Sequence, residues 1–497
     1  MWIKKRKDKI LKICRAVIFI IILCFIVGYL SSVLVSKSSY SKVSPFLKEE
    51  ENFDVLFMGI SHMQVGVYPM DLWKDYGIAS FNFGESGARL PYSYWALKNA
   101  LDYTTPELVV IDVRRMDVND KEYDDYVSTV FDEFPLSKTK YEAAMDLFGD
   151  WDMRLEFLFP FIKYHSRWTE LDENDFTKEL YRINQGAYSY PKESLHVAIP
   201  EEHQIISKDD KSEGGVLAQK YLRQMIELCQ GQGIDVMLTE LPYPADEEAQ
   251  RLANGVADIA DEYGINYINF LQMDGIIDFD TDMNDKSAHV NDSGARKITS
   301  YLGNYIKENY SVPDRREDKK YSSWNDVYKK YEEYKISRIK EQTSLDNYLM
   351  LLSDKNLSSC IYINEGADIL RDERMKNLLM NISQHQDLTQ LDAAGESRED
   401  YLLIVDNGSS KVWEGIGEEI SPDLDTSFGR IENVADEDEE PYILIQGTDK
   451  SYFLNIGENS LIADIQIMVI NNSSGEVVDM AAFNVDVRSD NISATRN

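Results

Sequence analysis

Between Ala16 and Val35 no side chain carries a charge, and Ile, Val, Leu and Phe dominate. Residues in a helix rise about 1.5 Å each, so the run reaches about 30 Å, enough to cross a bilayer. Ahead of it stand Lys4, Lys5, Arg6, Lys7, Lys9, Lys12 and Arg15 against the single acid Asp8. That basic flank predicts a cytoplasmic N-terminus, with everything after Ser36 on the far side of the membrane. A cleaved signal peptide has the same order of parts, but the run is long and no small-x-small cleavage site follows it. The expectation is an uncleaved single-pass anchor over residues 1–36.

The length predicts two or three domains, and 43% hydrophobic residues suffice for packed cores. A net charge of −35 argues against nucleic acid, whose phosphates would be repelled, and against an anionic membrane surface as partner of the soluble part as a whole. Cys14 and Cys24 lie in or beside the apolar run, and Cys229 and Cys360 fall in different expected domains. No disulfide framework is expected despite the extracytoplasmic location, a pattern that suits a bacterial surface.

After a polar spacer at 36–52, Val55, Leu56, Phe57 and Met58 form a continuous apolar run, the mark of a strand buried on both faces. Gly59 ends it, and Ser61 follows where a strand turns toward a helix. A second short strand is read at 78–83, a helix at 91–103 and a third buried strand, LVVID, at 108–112. From 114 to 215 the rhythm breaks into an insertion rich in acids and aromatics. It resumes with helix 216–232, strand 235–240, helix 245–263, strand 266–269 and a final helix at 293–309. This alternation predicts an α/β domain over 37–310, a parallel sheet covered on both sides. In such sheets the active site lies beyond the carboxyl ends of the strands, where Ser61 falls.

Residues 311–344 are strongly charged and carry Trp324, Tyr328, Tyr331 and Tyr334 at helical spacing, which predicts a linker helix with a packing stripe. An α+β domain is read over 345–490, with strands at 359–363, 401–406, 442–445 and 465–470 and a helix at 372–382. The acidic run 436–440 reads as a solvated loop.

Three stretches carry candidate chemistry. Ser61 stands at a turn where the amides of the next helix can meet a developing anion. Asn82-x-Gly84-x-x-Gly87 follows the second strand; it lacks the complete dinucleotide fingerprint, but a glycine there lets a backbone N–H approach a reacting oxygen. Asp282-Met-Asn-Asp285-Lys-Ser-Ala-His289 precedes the last helix, where a histidine can face the sheet edge and take a proton from Ser61 while an aspartate holds its ring. Alternating Asp278, Asp280 and Asp282 also suggest a calcium loop, but the glycine at its sixth position and the glutamate at its twelfth are missing. No Cys or His cluster has metal-ligand spacing. His62 neighbours the nucleophile on a turn and reads as structural. His165 and Arg167, in Tyr164-His-Ser-Arg-Trp168, read as packing or substrate-positioning residues.

Taken together, Ser61, Asn82-x-Gly84, Asp285…His289 and the ending HVNDSGARKITSYL resemble the SGNH/GDSL hydrolase superfamily. The likeness is to its membrane-anchored branch, which holds the D-alanyl transfer protein of lipoteichoic acid and the alginate-type O-acetyltransferases. It covers about residues 50–310. It implies a three-layer fold, Ser61 as nucleophile, His289 as base and the amides of Ser61 and Gly84 as oxyanion donors, with no cofactor. Three departures stand out. Ile60 replaces the aspartate of Gly-Asp-Ser. No Gly-x-Asn-Asp block follows the third strand, so Arg114 is the candidate in its place. Lys286 occupies the usual site of the triad acid, leaving Asp285, nearer the usual offset, or Asp282. The C-terminal part, with YILIQGTD at 442–449 and IQIMVI at 465–470, resembles the interleukin-like EMT inducer domain, which implies a glycan-binding accessory role; a spacer or docking domain reads equally from the residues alone.

The expected function is a membrane-anchored serine esterase or O-acyltransferase that acts through an acyl-serine on a cell-envelope polysaccharide or a teichoic-acid-like glycan. The resemblance also implies a multispanning membrane acyltransferase as partner. A non-catalytic envelope scaffold that keeps the fold is the rival.

Overall fold

A computed structural model describes the chain except residues 1, 36–41, 122–129, 173–174, 177–194, 201–203, 366–367, 385–387, 437–438, 448–449, 457–462, 489–490 and 497. Part of the insertion expected at 114–215 therefore lies outside the described residues.

The apolar run forms α1 (Trp2–Leu34), within which Lys9–Leu34 is long and apolar enough to span a membrane. The segment read as a polar spacer is not free of the fold. Val43–Lys48 forms a short helix, α2, and Val43 and Phe46 enter the main core, where Phe46 meets Phe53 and Phe81. Two apolar residues three positions apart are enough to seat one turn of helix.

The main core surrounds five parallel strands, β1 (Val55–Met58), β2 (Ser80–Asn82), β3 (Leu108–Asp112), β4 (Asp235–Glu240) and β5 (Asn266–Asn269), in the order β2-β1-β3-β4-β5. Every residue of β1 and β3 is buried, as continuous apolar runs require. The first connection moves left from β1 to β2, and later ones move right. Right-handed crossovers then put helices on both faces. On one face α4 (Pro69–Tyr76) packs with the last helix, Asp292–Asn309; on the other, Leu90–Ala100 packs with Val216–Gln230. The α/β class follows. The strand order reverses between β1 and β3, and ligands bind at such switch points.

Residues 345–496 build a second unit. A six-stranded antiparallel sheet, which includes Leu357–Ile363, Tyr401–Asp406 and Ile465–Asn471, is covered on one face by the helices Leu345–Leu351 and Glu373–Ile382. Its other face meets a four-stranded sheet. Side chains alternate between the two cores: Ile361 and Ile363 face the helices, and Cys360 and Tyr362 face the small sheet. The acidic run read as a loop falls at a hairpin, where Asp436 pairs with Glu439. Helix Ser322–Lys340, expected as a linker, belongs to both units. Trp324 packs 5.2 Å from Trp73 in the first core, and Ile339 enters the second.

Candidate active site

Ser61 opens α3 (Ser61–Gly66) directly beyond β1. The turn is tight because Asp112, at the end of β3, lies behind it: a Cβ on Gly59 would stand 2.6 Å from the Asp112 Cβ. The first amides of a helix have no partner within it, so the Ser61 N–H is placed to meet an oxyanion formed on a carbon bonded to Ser61 Oγ.

His289 arrives from the loop before α5 (Asp292–Asn309). An antiparallel bridge between Met283 and Val290, with the Asn284 amide donating to the His289 carbonyl at 2.8 Å, closes a hairpin. Asn291 caps α5 by accepting from the Gly294 amide at 3.2 Å, and its Nδ2 donates to the Thr281 carbonyl at 2.7 Å. A Cβ on Gly294 would stand 2.6 Å from the Asp282 carbonyl oxygen, so only glycine lets loop and helix close this way. The HVNDSGA phrase is thus a clamp that fixes where His289 stands.

At the head of the hairpin Asp285 Oδ1 accepts the amides of Ser287 (2.9 Å) and Ala288 (2.7 Å). Its Oδ2 lies 2.6 Å from His289 Nδ1, and His289 Nε2 lies 2.8 Å from Ser61 Oγ. The Asx-type turn absorbs the extra residue between acid and base. Partial burial pushes the Asp285 carboxyl up, but the Ser287 amide, His289 and the Ala288 amide outweigh it and hold the carboxyl below its ordinary value. An ionised Asp285 keeps a proton on Nδ1 and leaves Nε2 to accept from Ser61.

Asp282 is elsewhere. It is fully buried and accepts from the Asp278 amide (2.7 Å), Ser293 Oγ (2.8 Å) and Lys297 Nζ (2.7 Å), so it anchors the loop to α5 and does not reach His289. The aspartates that resembled a calcium loop are holding this turn together.

Gly84 and Asn82 are placed differently from expectation. The Gly84 amide donates to Asn82 Oδ1 at 2.8 Å, and Asn82 Nδ2 donates to the carbonyls of Met63 (2.7 Å) and Val67 (3.0 Å). Asn82 is fully buried, so it ties β2 to α3 and touches no substrate. Gly84 is required by contact: a Cβ there would stand 2.3 Å from the Gln64 amide nitrogen. Its carbonyl accepts from Lys42, a buried cation 3.9 Å from the equally buried Glu85. Burial lowers the Lys42 ammonium to about 8 and raises the Glu85 carboxyl to about 7.

His165 and Arg167 belong to the region beside the C-terminal end of α1. Arg167 donates to the carbonyls of Leu34 (2.6 Å) and Val35 (2.8 Å), capping α1, and His165 Nδ1 lies 2.7 Å from the Ile162 carbonyl oxygen. Neither bonds Ser61, Asp285 or His289. Arg114 remains near the site. Its guanidinium lies 3.5 Å over the Tyr243 ring, Tyr243 meets the edge of His62 at 5.2 Å, and His62 meets the edge of His289 at 5.2 Å. A cavity of about 370 Å³ opens beside Arg114, Glu240 and Tyr243.

This row was not legible beforehand as a unit, although two acids ending buried apolar strands, Asp112 and Glu240, were a usable signal. Both are buried beneath Arg114, and burial raises Asp112 to about 7 and holds Glu240 well above its ordinary value. Burial first and then the neighbouring Arg114 hold His62 neutral. His62 therefore adds no positive charge beside His289.

No protein-family model matches the chain, and no curated protein matches it.

Proposed function

We propose that this chain is a membrane-anchored serine hydrolase or O-acyltransferase of SGNH type, acting on an acylated glycan of the cell envelope. The observation that carries the reading is the Asp285–His289–Ser61 relay, 2.6 and 2.8 Å, at the carboxyl edge of a parallel sheet. Ser61 Oγ gives its proton to His289 Nε2 and attacks the ester carbonyl carbon. The Ser61 amide receives the oxyanion. As the carbon–oxygen bond to the leaving group breaks, His289 returns the proton to the departing oxygen. An acyl-serine remains. A sugar hydroxyl or water, deprotonated by His289, then attacks it, and Ser61 leaves with the proton. The anchor keeps this chemistry at the membrane surface, where a multispanning acyl-donor partner is the natural companion, and the second unit is suited to holding glycan.

A non-catalytic scaffold is the second reading, favoured by the Gly84 amide being bonded to Asn82. Incubating the full chain with a fluorophosphonate and mapping the adduct by mass spectrometry separates the two. A Ser61 adduct supports the enzyme; an unlabelled, folded protein supports the scaffold.

A further inference from the structure

The helices that follow residue 130 have a buried inner face, with Phe131, Phe157 and Leu158 in the main core. Their outer face is different. Leu136, Trp151 and Trp168 are 60%, 57% and 70% exposed, and Leu155, Phe159 and Ile162 are 39%, 37% and 40% exposed. Soluble surfaces rarely concentrate large apolar side chains this way, and Trp is the residue that favours the boundary between lipid and water.

Their position supplies the reason. Pro160–Tyr164 and the turn after it pack against α1, and Arg167 caps the carbonyls of Leu34 and Val35. A groove of about 760 Å³ runs between these helices and α1, lined on the α1 side from Leu23 to Val35 and opposite by Phe134, Leu158 and Phe159. Leu23 stands about 18 Å along the helix from Val35. If the uncharged run crosses the bilayer, the groove follows its last half, and the opposite wall shares that depth. The charged groups beside the groove are engaged: Asp132 accepts from Tyr164 at 2.5 Å, Glu133 accepts from the Ser44 amide at 2.9 Å, and Lys140 donates to the Phe134 carbonyl at 2.8 Å. Ser31, Ser32, Ser44 and Lys48 also line the groove, and the rest of its wall is apolar. Asp152 and Glu156, exposed beside Trp151 and Leu155, keep that part of the surface at headgroup level.

We propose that residues 136–168 form an interfacial platform lying in the leaflet at the C-terminal end of α1, with an acyl chain of a bilayer lipid filling the groove between platform and helix. The platform would hold the soluble part against the membrane in one orientation, which a single helix followed by a linker does not achieve. This rests on α1 spanning the membrane and is independent of the chemistry at Ser61.

The test uses the full chain in phosphatidylcholine vesicles containing a lipid with a diazirine in its acyl chain, with adducts mapped after irradiation. Adducts within 136–168 are expected in addition to those on α1. The double substitution Trp151→Asp and Trp168→Asp should lower the former at least threefold and leave α1 labelling unchanged. A second readout is quenching of tryptophan emission by brominated lipid in a Trp2→Phe background, which should fall by at least half when Trp151 and Trp168 become Phe. Adducts confined to α1, or quenching unchanged by the double Phe variant, overturn the proposal. So does efficient cross-linking of residues 136–168 to another membrane protein in native membranes with no lipid adducts there, which would make the face a protein interface.

Discussion

Asp282 and Asp285 stand three residues apart in one loop, and the molecule uses them in opposite ways. Asp282 is fully buried. It is held by a backbone amide, a serine hydroxyl and the Lys297 ammonium, and Lys297 also bonds Asn381 of the second unit at 3.0 Å. Asn381 in turn donates to Thr281 at 2.6 Å, so this end of the loop is a junction between the two units. Asp285 is partly open, and its second oxygen faces a ring whose far nitrogen reaches Ser61. Burial therefore does not mark the acid that reaches His289. A carboxylate whose donors are all fixed in place can only hold structure, whereas one shared with a titratable ring at a cleft can steer a proton.

Removing the proposed nucleophile exposes the contrast most strongly. Ser61→Ala should abolish fluorophosphonate labelling and lower ester turnover by about 10⁴-fold or more. The change deletes one partly exposed hydroxyl, so stability in urea should move by no more than about 0.5 kcal/mol. Normal envelope ester content in cells that stably express the alanine variant would end the enzyme reading.

The two aspartates then separate activity from stability. Asp285→Asn should lower turnover by about 10³- to 10⁴-fold, because an amide does not hold the Nδ1–H tautomer. Its stability should change by about 1 kcal/mol or less. Asp282→Asn should do the reverse. It leaves Lys297 without its buried counter-charge and should cost about 2–3 kcal/mol in denaturant unfolding, with turnover of the folded fraction within about threefold of the parent. If Asp282→Asn removes turnover and Asp285→Asn does not, the roles drawn from the geometry are reversed.

Much of the parallel sheet was legible in the sequence because local patterns encode it. Continuous apolar runs of four or five residues between helical segments announce doubly buried strands, and β1, β3 and β4 lie within a residue of the expected bounds. Ser61, Asp285 and His289 were also legible, since a strand-end glycine and a helix-start clamp are short-range features. What escaped depends on where distant segments meet. Nothing near Gly84 says that its amide is bonded to Asn82, which lies within the same turn but answers to α3. Lys42, inside an apparent spacer, becomes a buried cation only because the Gly84 carbonyl and Glu85 come to it. Arg167 read as a packing or substrate-positioning residue because nothing in Tyr164-His-Ser-Arg-Trp168 announces that the end of α1 comes to it.

The smallest effect concerns His62, the buried counterpart of His289. The rings meet edge to face at 5.2 Å, and His289 reaches both the Asp285 carboxylate and Ser61 Oγ. Burial, followed by Arg114 and His289, depresses the proton affinity of His62 well below that of an unfolded histidine, while Asp285 opposes this weakly. In the unfolded chain His62 titrates near 6.5, so below that pH the unfolded state binds a proton that the folded state refuses. Stability from this residue is thus present above about pH 6.5 and lost as pH falls. Asp112 and Glu85, both raised to about 7, contribute the opposite slope across the same range, since their folded forms hold protons longer. The comparison must therefore be a difference between two proteins. His62→Phe keeps a ring of similar shape and removes the titration. Measured by urea unfolding, the parent should lose about 1 kcal/mol more than the variant between pH 7.5 and 5.5. Parallel curves for the two proteins would mean that His62 takes up its proton in the folded state, and with it that the row from Arg114 to His289 is open to water.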